Sequence, residues 1–298
     1  MQRGGDAECD VFKGFCEQGH YGGRTAPTST RQGIYAVAPS GRFLASVNTT
    51  SPERVAAMLK EALQRWRELG EGERHLDAGQ VQRLEATKRF EDRYPEDGLV
   101  LAEYVRDLDA PVDEHDWKTR AWNEDHVWFT ESEAGSMVPA SHDVGATVEL
   151  PRALVERLAR LHLVDSVRGQ TPPFPKGTLI EGSLRSEVVA GAAQRLQLRF
   201  TGHTRTEQTG RWIVEDRGQP VEHARGVSVT LTGRASWNEA TGRFEQFELL
   251  AIGERFGATQ YNGRPATAAP AAIGFAFVLA PPDQPRVAPA FWWDYGWR

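Results

Sequence analysis

Apolar and polar positions alternate over long runs in the second half of this chain. Val227, Val229, Leu231, Gly233, Ala235 and Trp237 are interleaved with Ser228, Thr230, Thr232, Arg234 and Ser236. A period of two sustained this far predicts a long antiparallel strand with one buried face. Leu179 to Val189, Leu196 to Thr206, Arg243 to Arg255 and Ile273 to Leu279 have the same texture, and Asn238-Glu239-Ala240-Thr241-Gly242 reads as a hairpin turn. Long strands in sequence order favour a meander that forms a curved sheet or partial barrel. Upstream, Leu99 to Leu108 predicts one more strand, with Leu99, Leu101 and Tyr104 on its buried face. After Pro151 the period becomes helical, with Leu154, Leu158, Leu161 and Leu163 on one side. Thr130-Glu131-Ser132-Glu133 has the spacing of a capping box for a short helix.

The first third reads differently. A short helical stretch, Ala7 to Gln18, precedes Ile34 to Ala38, which is apolar at every position and predicts a strand covered on both faces. Pro39-Ser40-Gly41 supplies a turn and Phe43 to Val47 a partner strand. Ser51 then caps a helix with Pro52 at its first position and Glu53 in its first turn. Its apolar stripe is Val55, Met58, Leu59, Ala62, Leu63 and Trp66. A charged helix over Asp77 to Glu91, carrying Val81, Leu84 and Phe90, leads to Tyr94-Pro95-Glu96-Asp97-Gly98, where a domain boundary is expected.

The succession strand, turn, strand and capped helix over residues 33–66 resembles the last half of a thioredoxin-like domain. That is about an eighth of the chain. Gln32-Gly33 stands where such proteins carry a cis-proline, and Gly41 falls where the alignment puts the turn glycine. The resemblance implies an ancestry for this segment and no redox activity, because that family's chemistry resides in a Cys-x-x-Cys motif and the sequence contains none. No catalytic residue is carried over. The expected fold is therefore α+β. A truncated thioredoxin-like β-β-α unit with its charged helix occupies 1–95. A larger antiparallel β domain with a few helices and an aromatic tail occupies 96–298.

Composition narrows the function classes. A net charge of −6 argues against a nucleic-acid partner, which needs a basic face. No apolar run reaches the roughly 18 residues of a membrane span. The start, MQRGGDAECDVFKGF, has no apolar signal core, so the chain as it stands reads as cytoplasmic. A longer natural N-terminus would make it periplasmic or secreted. Cys9 and Cys16 are seven residues apart. On one helix their Cα atoms are about 10 Å apart, too far for a disulfide. Two core side chains is the plain reading; a reactive Cys9 near a helix N-terminus is the alternative.

Three groups of residues bear on chemistry. His115 and His126 lie in an acidic, Trp-rich stretch (Asp113, Glu114, Asp116, Glu124, Asp125), which offers oxygen and imidazole ligands for a divalent or transition metal. The competing reading is a solvated acidic loop anchored by Trp117, Trp122 and Trp128. His203, Arg205 and Glu207 occupy alternate positions of one strand and share a face. With His162, Arg168 and Gln170 after the Pro151 helix, and Gln260, Asn262 and Arg264 in a polar loop, they form a candidate small-ligand site. The competing reading there is an exposed strand face with weak ion pairs. Finally, five aromatics crowd residues 291–298, Phe291 to Arg298. That tail is expected to dock on its own chain, with a homodimer contact as the alternative. The leading expectation is a non-redox binding protein with a small-ligand or metal site in the β domain. A metal-dependent oxidoreductase or hydrolase using the same residues, and a thiol protein using Cys9, are its rivals.

Overall fold

The chain divides into two compact units, 1–92 and 93–298. The computed structural model describes residues 7–20, 32–86, 94–95, 97–108, 112–169, 171–214, 218–284, 286 and 292–295. For residues 7–11, 84, 292 and 293 the description is of the backbone only.

The first unit begins with α1 (Ala7–Cys16), whose Cys16 is fully buried. The Cys9 side chain lies outside the described residues. Strands β1 (Ile34–Val37) and β2 (Phe43–Val47) form an antiparallel hairpin that pairs Ile34 with Val47 and Ala36 with Ala45. The turn between them uses Gly41 at φ 80°, a left-handed conformation that glycine adopts without Cβ strain. Helix α2 (Pro52–Glu68) starts where the sequence predicts, and the Ser51 hydroxyl accepts from the Arg54 amide at 3.3 Å. Met58 and Ala62 pack on Leu44 and Ala45. The apolar stripe is narrower than expected, since Leu59 and Leu63 are 51% and 49% exposed. Ile34 and Val37 are also exposed rather than covered on both faces, because the sheet has two strands and α2 lies against it from one side. Short helices α3 (Glu71–Arg74) and α4 (Ala78–Glu85) complete the described part of this unit.

The second unit is an eight-stranded antiparallel sheet accompanied by short helices. Its strands are β3 (Leu99–Asp107), β4 (Trp122–Phe129), β5 (Thr147–Glu149), β6 (Leu179–Ala192), β7 (Arg195–Trp212), β8 (Val221–Asn238), β9 (Arg243–Phe256) and β10 (Ala271–Leu279). Helices α5 (Trp117–Arg120), α6 (Glu131–Gly135) and α7 (Arg152–Leu161) lie between them in sequence. The eight strands are ordered β4-β3-β10-β9-β8-β7-β6-β5, so the sheet is open, with β4 and β5 at its edges, and not a closed barrel. α6 carries the predicted capping box, with Glu133 N–H donating to Thr130 Oγ1 and Thr130 N–H to the Glu133 carboxylate.

The alternating residues of β8 divide as the sequence requires. Val227, Val229 and Leu231 are buried while Ser228, Thr230 and Thr232 are exposed. This inner face, with Leu198, Phe200, Leu249, Phe275 and Phe277, packs against Leu154, Val155 and Leu158 of α7. Burying each such side chain stabilises the fold by about 1.5–3 kcal/mol before the cost of chain ordering. Two expectations fail here. β4 lies in the acidic, Trp-rich stretch for which a solvated loop, and no strand, is the structural expectation, and Tyr104 faces outward, 38% exposed, because its even position puts it on the face opposite Leu99 and Leu101. No helix among the described residues is long and apolar enough to cross a membrane.

Candidate functional site

The inner face of β3 carries Leu99, Leu101, Glu103, Val105 and Asp107, two of which are buried acids on an apolar phase. Directly opposite Glu103 on β4 is Asp125. α7 ends at His162, and the chain then buries Leu163, Val164 and Val167 while presenting His162, Asp165 and Arg168 between them. Two polar clusters result.

In the first, His162 Nδ1 lies 2.8 Å from Glu103 Oε2 and 3.6 Å from Asp125 Oδ2. Its Nε2 meets the Tyr295 hydroxyl at 2.5 Å. Tyr295 is buried against Val100, Ala102, Trp128 and Ala280, which docks this part of the aromatic tail on its own chain. Arg157 stacks 4.6 Å over the Tyr295 ring and is held by Glu133 through bonds of 2.7 and 2.8 Å. Burial, the largest influence, pushes Glu103 well above the usual carboxylate range and Asp125 up to about 6. Burial also pushes His162 down to about 4, against the pull of Asp125, and raises the Tyr295 hydroxyl. Asp125, with 39% of its side chain exposed, opens this cluster to solvent.

In the second, Arg264 donates to Asp107 at 2.7 and 2.8 Å and to Asp165 at 2.9 and 2.7 Å. The loop that delivers it is wound by its own side chains. Asn262 Oδ1 accepts from the Thr259 amide at 2.9 Å, and Asn262 Nδ2 donates to the Gly257 carbonyl at 3.0 Å. Arg255 lies 3.5 Å from Asp107, and Arg168 donates to Asp107 at 3.2 Å. Burial opposes ionisation of Asp107, but the hydrogen bonds and charge of Arg264, with Arg255 and Arg168, outweigh it and hold this carboxyl below its ordinary range. Nearby, Arg225 lies 4.4 Å over Phe174 and donates to Gln208, and burial pushes its guanidinium down to about 10.

Four of the nine candidate ligand residues thus belong to these clusters: His162, Arg168, Asn262 and Arg264. His203, Arg205 and Glu207 stand on the outer face, where Arg205 pairs with Glu181 and Glu207, and His203 contacts Ser183 at 3.3 Å. Gln260 is exposed and accepts from the Ile213 amide, and Gln170 lies outside the described residues. His115 is exposed in a turn, and His126 is buried on the outer face of β4, where burial lowers its pKa. The described His, Cys, Asp and Glu side chains that converge at metal-ligand spacing are Glu103, Asp125 and His162. Sequence reasoning missed Glu103, Asp107, Arg225 and Arg255. Each was visible as a charged residue on the apolar phase of its strand.

The outer face itself has two textures. Toward β6, β7 and β8 it is charged, with pairs such as Arg199–Glu187 and Arg234–Glu248. Toward β3, β10 and β9 it is apolar. One cross-sheet row there reads Trp122, Arg106, Gly274, Ile252, and the next reads Glu124, Tyr104, Ala276, Leu250. The small Gly274 and Ala276 leave a trough between larger side chains, about 500 Å³ in volume, walled by Tyr104, Leu108, Val112, Trp122, Leu250 and Ile252. Arg106 and Arg120 are the charged groups among its lining residues. Arg120 and Trp122 also line a second, more open groove of about 600 Å³ with Trp117, Asn123 and Arg168.

Comparison with known protein families, with curated proteins and with solved structures finds no match to this chain.

Proposed function

We propose that the second unit is a small-ligand-binding module and that its ligand is an apolar molecule with an acidic group, held in the trough over Gly274 and Ala276. The observation that carries this reading is the exposed apolar patch on one end of a face that is otherwise salt-bridged. Leu250, Ile252 and Trp122 are 46%, 51% and 59% exposed there. Contiguous exposed apolar surface rimmed by polar residues is a feature of ligand-binding grooves. The volume suits a small molecule, and Arg106 and Arg120 supply the charge that would orient an acid group.

The test is a titration with decanoate and with decanol, followed by intrinsic fluorescence and calorimetry. Decanoate binds, decanol binds at least about tenfold more weakly, and Ala276→Phe, which fills the trough, abolishes both. Leu250→Glu on the exposed wall serves as the second variant. Equal affinity of wild type, Ala276→Phe and Leu250→Glu for decanoate removes the reading.

A further inference from the structure

We infer that Glu103, Asp125 and His162 form a binding site for one divalent first-row transition metal ion, with Tyr295 orienting the histidine. The three ligands come from three separate segments: β3, its neighbour β4, and the turn that ends α7. They converge with every pair of ligand atoms within 4.8 Å. Around an ion with bonds of about 2.0–2.2 Å, ligand atoms stand about 3 to 3.5 Å apart. The distances of 2.8 and 3.6 Å from His162 Nδ1 to the two carboxylates bracket that spacing.

The charges point the same way. Glu103 is 2% exposed, and its hydrogen-bond partner among the described residues is His162, not a lysine or arginine. Arg157, whose charge reaches His162 and Tyr295, donates to Glu133 through two bonds and to the Trp128 carbonyl. Glu103 and Asp125 face each other across β3 and β4, and among the described residues their side-chain partner is His162; ionising both acids there carries a burial cost, which a dication offsets. The outer arrangement is that of a metal-bound imidazole. With Nδ1 turned to the ion, Nε2–H donates to the Tyr295 oxygen, fixing the tautomer and the ring. Asp125, with 39% of its side chain exposed, puts one side of the cluster at the solvent, the side from which an ion would enter. One imidazole with two carboxylates fits zinc or manganese better than a thiolate-seeking ion.

The experiment is isothermal titration of the chelator-stripped full chain with ZnCl2 and, separately, MnCl2, with native mass spectrometry for stoichiometry. One ion binds per chain. Glu103→Gln and Asp125→Asn each weaken binding by at least about tenfold, and Tyr295→Phe weakens it about 10–100-fold through the imidazole it no longer holds. Circular dichroism establishes that each variant is folded. Should Glu103→Gln unfold, Asp125→Asn decides, because its side chain reaches solvent. Uptake of neither ion by the wild type overturns the site, as does Asp125→Asn binding as tightly as wild type. The decanoate titration uses no metal, so the two readings fail separately.

Discussion

Arg264 and Asp107, 157 positions apart in sequence, meet in a two-pronged ion pair with bonds of 2.7 and 2.8 Å. Both residues are buried, and the same guanidinium also grips Asp165. Removing one partner of such a pair leaves charge stranded in the interior, whereas the intact network has its hydrogen bonds made. Arg264→Met is expected to lower the stability of the second unit by about 3–5 kcal/mol, measured by urea unfolding. A loss below about 1 kcal/mol would show that Arg255 and Arg168 compensate.

The same pair fixes a pH response. Asp107 is held below its ordinary carboxyl range in the folded state, so it stabilises the fold above that range. As pH falls below about 3.8, the unfolded chain takes up the proton first and this stabilisation is lost. Asp107→Asn therefore flattens the acid limb of the stability curve below about pH 4. Identical acid limbs for variant and wild type contradict the assignment.

Tyr295 is a structural anchor whatever occupies the neighbouring cluster. Tyr295→Ala removes a buried ring and is expected to cost about 3–5 kcal/mol, while Tyr295→Phe loses only the hydroxyl and its hydrogen bonding to His162 and the Trp128 backbone, about 1–2 kcal/mol. Thermal melts of the two variants give the ordering, and a reversed order refutes it.

Arg205 and Glu207 pair on an exposed face, where ion pairs are worth little. Replacing both by alanine is expected to leave stability within about 0.5 kcal/mol and decanoate affinity unchanged. A marked loss of affinity would move the ligand from the trough to this side of the sheet.

Trp117 and Trp122 are 57% and 59% exposed, so acrylamide quenches their emission in the free protein. Trp122 walls the trough and Trp117 does not. Saturating decanoate should shield Trp122, and the protection should vanish in Trp122→Phe.

What the sequence disclosed follows from how each feature is encoded. The alternation of β8, the Ser51 cap and the Thr130–Glu133 box are local, and local chemistry decides them. β4 escaped because an edge strand bearing Asn123, Glu124, Asp125 and His126 has polar residues on both faces, which erases its period. The meeting of His162 with Glu103, and of Asp165 with Arg264, depends on where a turn after α7 lands on distant strands. No spacing in the chain encodes that. Charged residues on an apolar phase were the readable trace, and Glu103, Asp107 and Arg255 all left it.

The strand order sets a schedule for folding. β3 joins the rest of the sheet through β10, the last of these eight strands in sequence, and not through the strands that follow it directly. The β3–β4 hairpin must therefore wait through synthesis of the whole meander before its second neighbour exists. Closing so long a loop makes folding slow, and the waiting edge of β3 is exposed to wrong partners meanwhile. A ribosome stalled before residue 271 would carry a meander without its final strand and a hairpin with nothing to dock on.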